Sequence, residues 1–114
     1  MQITIVDDTG ATAKAVLSGK LDIAGAERIA LPLATLAGGK SGVLLDMAGV
    51  TFIASIGIRH LVSASKALTR RGGRLVLLNP NPMVTDVLTT SGVAELMTIV
   101  RSDAEAAAAL GARA

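Results

Sequence analysis

The sequence predicts a single α/β domain built on a central mixed β-sheet, and three observations carry that prediction. Two continuous apolar runs of strand length, GVLLDM at 42–47 and RLVLLN at 74–79, have the form of strands covered on both faces. Residues 55–71 between them have helical periodicity, and the order strand, helix, strand forces a parallel pair joined by a right-handed crossover. Near the start of the chain, two short segments of strand character flank turn residues, which makes an antiparallel hairpin. With 114 residues the chain is long enough for one core and too short for two, so it reads as one domain spanning 1–114.

Taken in order, residues 3–6 and 13–18 are the hairpin strands. In the second, Ala13, Ala15 and Leu17 alternate with Lys14, Val16 and Ser18, and Asp8, Thr9 and Gly10 supply the turn. Asp22 reads as the N-cap of a helix with Ile23, Ala26, Ile29, Ala30, Leu33 and Leu36 on its core stripe. Gly38 and Gly39 end it, and Pro32 is a candidate kink. After GVLLDM, the helix over 55–71 puts Ile58, Leu61, Val62, Ser65 and Leu68 on a buried stripe, with Arg59, Ser63, Lys66 and Arg70 opposite in solvent. Gly72 and Gly73 stop it. Beyond RLVLLN, Asn81 and Pro82 open a short helix ending at Gly92, and LMTIV (96–100) makes a last strand. Ser102 and Glu105 then form a capping box for an alanine-rich helix.

Composition narrows the function classes. Hydrophobic residues make up 51% of the chain, but Gly, Asp and Pro interrupt every apolar stretch well short of the roughly 18–20 residues a membrane span needs, so no membrane insertion is expected. The segment MQITIVDD lacks the basic region and cleavage site of a secretory signal, and cysteine is absent, which fits a cytoplasmic protein. Basic residues exceed acidic ones by only two and Phe52 is the one aromatic residue, so nucleic acid is not the expected partner.

Three catalytic readings fail on inspection. GGKS at 38–41 resembles the end of a phosphate-binding loop, but Ala34 stands where its first glycine belongs. It also joins a helix to a strand, whereas that loop must lead into a helix whose amides face the phosphate. Ser55 and Gly57 echo a hydrolase elbow, yet Ile53 replaces the first glycine. The sole histidine, His60, lies in the same helix facing another way. Asp7 and Asp8 have no further ligands at metal-binding spacing and read as part of a turn. The chain is therefore expected not to be an enzyme.

One hydroxyl remains to be explained. Ser55 stands where an apolar strand gives way to a helix, in FIASIGIRHL (52–61). Its oxygen there would cap the helix by accepting from the amide of residue 57 or 58, contributing about 1 kcal/mol. The same position suits a phosphate, because free amides and the positive end of the helix dipole would meet it.

The succession LSGKLD (17–22), LLDMAGVTFIASIGIRHL (44–61) and RGGRLVLLNPNPMVTDVLTTSGV (71–93) resembles the STAS domain family, specifically its stand-alone anti-sigma-factor antagonists. Asp46, Val50, Phe52, Ser55 and Gly57 fall at matching places in the family's sharpest motif. The resemblance implies a STAS-like domain with about four helices packed mainly on one face of the sheet. It implies partner switching: an ATP-binding serine kinase, acting as anti-sigma factor or switch protein, phosphorylates the serine matching Ser55, and a phosphoprotein phosphatase reverses this. ATP then belongs to the partner, so the resemblance implies no cofactor for this chain. Two positions depart from the family: Ala54 replaces the usual acid before the acceptor, and Ile56 replaces the Ser or Thr after it.

The docking residues expected around Ser55 are Asp22, Ala54, Ile56, Gly57, Arg59, Ser63 and Lys66. Asp22 is first a helix cap and second a partner contact. Ile56 either folds over the strand ends or serves as an apolar anchor rimmed by Arg59 and Lys66. The alternative to a phosphorylated switch is a constitutive STAS interaction module, for example an accessory subunit of a lipid-transport ATPase, with Ser55 as a cap only.

Overall fold

In the computed structural model, which describes residues 1–8 and 10–111, five strands form one sheet in the order β1-β2-β3-β4-β5. Strands β1 (Gln2–Asp7) and β2 (Thr12–Leu21) pair antiparallel, as the alternating segments predict; Thr9 of the expected turn lies outside the described residues. Strands β3 (Gly42–Ile53), β4 (Arg74–Leu78) and β5 (Thr98–Val100) extend the sheet, each parallel to its predecessor. Three helices link the parallel strands: α1 (Ile23–Gly39), α2 (Ser55–Arg70) and α3 (Pro82–Thr90). The fourth, α4 (Asp103–Gly111), follows β5.

The apolar runs follow from the sheet being covered on both faces. Val43, Leu45 and Met47 of β3 and Leu75 and Leu77 of β4 pack with Ile29 and Leu33 of α1, Leu61 and Leu68 of α2, and Val84 and Leu88 of α3. Their neighbours Leu44, Val76 and Leu78 point the other way, where Val100 of β5 and Ala106 of α4 join them. Three helices thus cover one face and one covers the other. The expectation of helices mainly on one side holds.

Several local expectations are corrected. Ile23, assigned to the core stripe of α1, is 70% exposed. It is the first residue of α1 after the Asp22 cap, and the buried positions of the helix begin only at Gly25 and Ala26. The α1 helix runs unbroken through Pro32 and includes Gly38 and Gly39, and the Lys40 amide donates to Leu36 O at 3.0 Å to close it. In LMTIV only Thr98–Val100 is strand, because Leu96 belongs to a 3₁₀ turn held to α2 by the buried Ser65 hydroxyl donating to Leu96 O. Half of the capping box forms: Ser102 Oγ accepts from the Glu105 amide at 3.2 Å, but Glu105 Oε1 accepts from the Arg101 amide at 2.8 Å, one residue before the cap.

The larger surprise is the length of β3, which continues beyond Met47 to Ile53. Val16 pairs with Asp46 but Ser18 with Gly49, and Gly19 pairs with Val50 but Lys20 with Phe52, so β3 spends one extra residue against β2 at each of two places. Such bulges bend a strand and interrupt its two-residue alternation. Met47, Val50 and Ile53 are all buried in consequence, at a spacing of three.

Candidate functional site

The parallel strands β2, β3 and β4 all end at one edge of the sheet, and α1, α2 and α3 all begin there. Open α/β sheets bind their ligands at this edge. Leu21 and Ile53 are partners in the sheet, and the Ala54 amide donates to Leu21 O at 2.9 Å, so the two chains leave side by side and start α1 and α2 as neighbours.

The three helix starts are finished differently. Asp22 Oδ1 accepts from the Gly25 amide at 2.9 Å and caps α1. Asn81 Oδ1 accepts from the Val84 amide at 2.8 Å and caps α3, while its Nδ2 donates to Val50 O in β3 at 3.0 Å. The N-cap of α2 is Ala54, whose extended backbone (φ −105°, ψ 168°) gives way to helix without a side-chain cap. This corrects the expectation that Ser55 is the cap. The bond to Leu21 holds Ala54 extended, and its own carbonyl accepts from the Ile58 amide at 3.1 Å, so the helix has already begun at Ser55. The exposed Ser55 hydroxyl makes no hydrogen bond among the described residues.

Around Ser55 the expected docking residues separate into groups. Asp22 and Ala54, both half-buried, and Ile56, half-buried one residue into α2, share the edge with it. Arg59, Ser63 and Lys66 are exposed and carry the surface along α2. Gly57 is buried instead: a Cβ there would sit 2.6 Å from Leu21 Cγ, so its lack of a side chain lets α2 lie close on β2. His60 is half-buried and makes no bond with Ser55, and no cluster of potential metal ligands exists among the described residues. Two features escaped the sequence reading. The cross-strand bond of Asn81 ties α3 to β3, and the exposure of Ile23 places an apolar side chain beside the start of α2; the one signal for the latter was its position directly after a cap.

The STAS domain family model matches residues 5–106. The chain belongs to the STAS domain family. Among relatives of this STAS chain is "Putative anti-sigma factor antagonist BtrV" of Bordetella bronchiseptica, 33% identical over 96 residues, which cover 83% of each chain. Among solved structures, the anti-sigma factor antagonist SpoIIAA in its unphosphorylated form superposes with a TM-score of 0.80 at 24% identity, covering 96% of this chain and 97% of that one. The Bacillus cell fate determinant SpoIIAA in its phosphorylated form gives 0.71 at 25% identity, with coverages of 92% and 96%. The mixed sheet and four helices are thus the STAS fold. Among the described residues no helix is long and apolar enough to cross a membrane.

Proposed function

We propose that this chain is an anti-sigma factor antagonist that works by partner switching: unphosphorylated, it binds a serine kinase that is an anti-sigma factor or switch protein, and phosphorylation of Ser55 breaks that complex. The observation that carries the reading is the exposed, unbonded Ser55 hydroxyl at the one helix start on this edge that has no side-chain cap. The likeness to "Putative anti-sigma factor antagonist BtrV" of Bordetella bronchiseptica supports the role, and a solved neighbour that exists in unphosphorylated and phosphorylated forms supports the switch.

In the switching step Ser55 Oγ attacks the γ-phosphorus of ATP held by the partner. The new O–P bond forms as the bond to the β,γ-bridging oxygen breaks, ADP leaves, and the hydroxyl proton passes to a base on the kinase. ATP stays with the partner and this chain supplies the acceptor. The product carries about two negative charges, which the amide end of α2 accommodates without disturbing the fold. A partner seated on Asp22, Ala54, Ile56, Arg59, Ser63 and Lys66 would meet the same charge across a desolvated contact, and like charges there cost affinity. A phosphatase restores the hydroxyl by transferring the phosphoryl group to water. Use of ATP and control of a sigma factor place the cycle in the cytoplasm.

The test uses the kinase partner recovered with the wild-type chain. Ser55→Ala is expected to bind it constitutively and to accept no phosphate from ATP, and Ser55→Asp to fold normally yet bind poorly. Phosphate transfer to Ser55→Ala at the wild-type rate, or full affinity of a stoichiometrically Ser55-phosphorylated sample, overturns the switch. Native protein that binds its partner but carries no phosphate at any growth stage, read by intact mass, would favour the constitutive module.

A further inference from the structure

Between α1 and α2 lies an apolar recess of about 160 Å³. His60 and Ser63 of α2 add polar groups to its wall, but alanines and Leu33 of α1 and Ala64 and Ala67 of α2 line most of it. These side chains are too small to fill the space between two neighbouring helices, and cavities of about 150 Å³ accept a group the size of a benzene ring. The recess therefore has room for one medium apolar side chain.

It also connects to the Ser55 edge. On α2, steps of three and four residues lead from Ala67 through Ser63 and His60 to Ile56, next to Ser55. On α1 the corresponding line leads from Ala34 through Ala30 and the exposed Glu27 to Ile23, which is 70% exposed, and Leu31 on the neighbouring line is 75% exposed. Charge distinguishes the two banks. On α1, Glu27 and Arg28 offset each other, whereas α2 carries Arg59, Lys66 and Arg70 with no acid. None of those three is in a salt bridge among the described residues.

We propose that this recess receives an amphipathic helix, acidic on one flank, from the protein that docks at Ser55, with an apolar anchor seated between α1 and α2 and carboxylates along Arg59, Lys66 and Arg70. The inference rests on the docking surface proposed above and extends it along the whole length of the helix pair. Grooves between helices take such segments through apolar anchors spaced three and four residues apart, and flanking charge selects the partner.

Two synthetic peptides of equal length, with Leu along one face and either Glu or Lys elsewhere, are titrated into the ¹⁵N-labelled full-length chain. The Glu peptide should shift the amides of Ala30, Ala34, Ser63 and Ala67, and the Lys peptide should not. Filling the recess with Ala34→Leu and Ala67→Leu should weaken that binding by about tenfold or more. The melting temperature should hold, because Ala34 is exposed and Ala67 half-buried. Lys66→Glu with Arg70→Glu should transfer the preference to the Lys peptide. Equal response to both peptides, shifts confined elsewhere, or unchanged affinity in the filled variant overturns the proposal. So does binding to phosphatidylglycerol vesicles that the filled variant loses while neither peptide binds. No kinase is needed here: a chain that switches at Ser55 but ignores both peptides refutes the recess alone, and one that binds the Glu peptide but never accepts phosphate refutes the switch alone.

Discussion

Two kinds of helix start lie on the same edge of this sheet. Those of α1 and α3 are sealed by Asp22 and Asn81, each accepting from an amide three residues on. The start of α2, between them in sequence and directly beside α1, has alanine as its cap residue and an exposed serine next to it. A missing cap costs typically about 1 kcal/mol, and the flanking helices show that this edge can supply one. The unsealed start coincides with the residue that would have to accept a charge. Binding surfaces are commonly built from groups left unsatisfied by the fold itself, and α2 has that character while its neighbours do not.

The comparison presumes one platform under all three helices, and that is where it can be broken most severely. Leu45→Ala, in the middle of the sheet and fully buried, should lower stability by about 2–5 kcal/mol in urea unfolding. A loss within the range of surface substitutions would mean that the helix starts do not share a core. Removing the seals comes next. Asn81→Ala loses both the cap of α3 and the bond to Val50 O, for roughly 1–3 kcal/mol, and should exceed Asp22→Ala, which loses one cap bond for about 1 kcal/mol. Equal costs would show that the cross-strand bond of Asn81 contributes nothing.

Supplying the missing seal sharpens the contrast. Ala54→Asp places an acceptor at the cap position of α2 and should raise stability by about 1 kcal/mol, seen as a higher urea midpoint at unchanged slope. Because the family carries an acid at this place, a chain that switches at Ser55 should still accept phosphate when sealed, and loss of transfer in a stable variant would show that the open amides serve the switch. The smallest effect belongs to Ser55 itself. Because its hydroxyl caps nothing, Ser55→Ala should move stability by no more than about 0.5 kcal/mol, against the 1 kcal/mol expected of a true cap. A full cap-sized loss would return Ser55 to the role the sequence suggests.

That suggestion shows how far sequence carries. Asp22, Asn81 and the Ser102–Glu105 pair were readable as caps because each has the right side chain just before a helical pattern. At α2 the same rule selects Ser55, since alanine offers no acceptor; only the bond from the Ala54 amide to Leu21 O, a contact distant in sequence, reveals that the turn begins one residue earlier. The parallel strands were legible where Val43, Leu45 and Met47 alternate with residues facing the other way. Beyond Met47 the buried positions fall every third residue, a spacing that belongs to neither strand nor helix, so the strand's end before Ser55 was legible but its bulged register was not. Ser55 and the outer face of α2 were found from local pattern and family resemblance. Ile23 and the recess beside α2 were not, because both depend on where α1 ends up.

The two register shifts in β3 also make the strand unusually permissive to changes of length. Between Asp46 and Gly49, and again between Val50 and Phe52, β3 holds a residue more than β2 uses. Deleting one at either place leaves every remaining pair in step, whereas a deletion among 43–46 would turn the following side chains inside out. Lineages of this protein could therefore gain or lose a residue near Ala48 or Thr51 without rebuilding the core. What would change is the direction in which β3 delivers its last residues, and with it the angle at which Ser55 is presented at the start of α2. Insertions and deletions there would act as an aiming screw, letting paralogues diverge in partner choice while their interiors stay interchangeable.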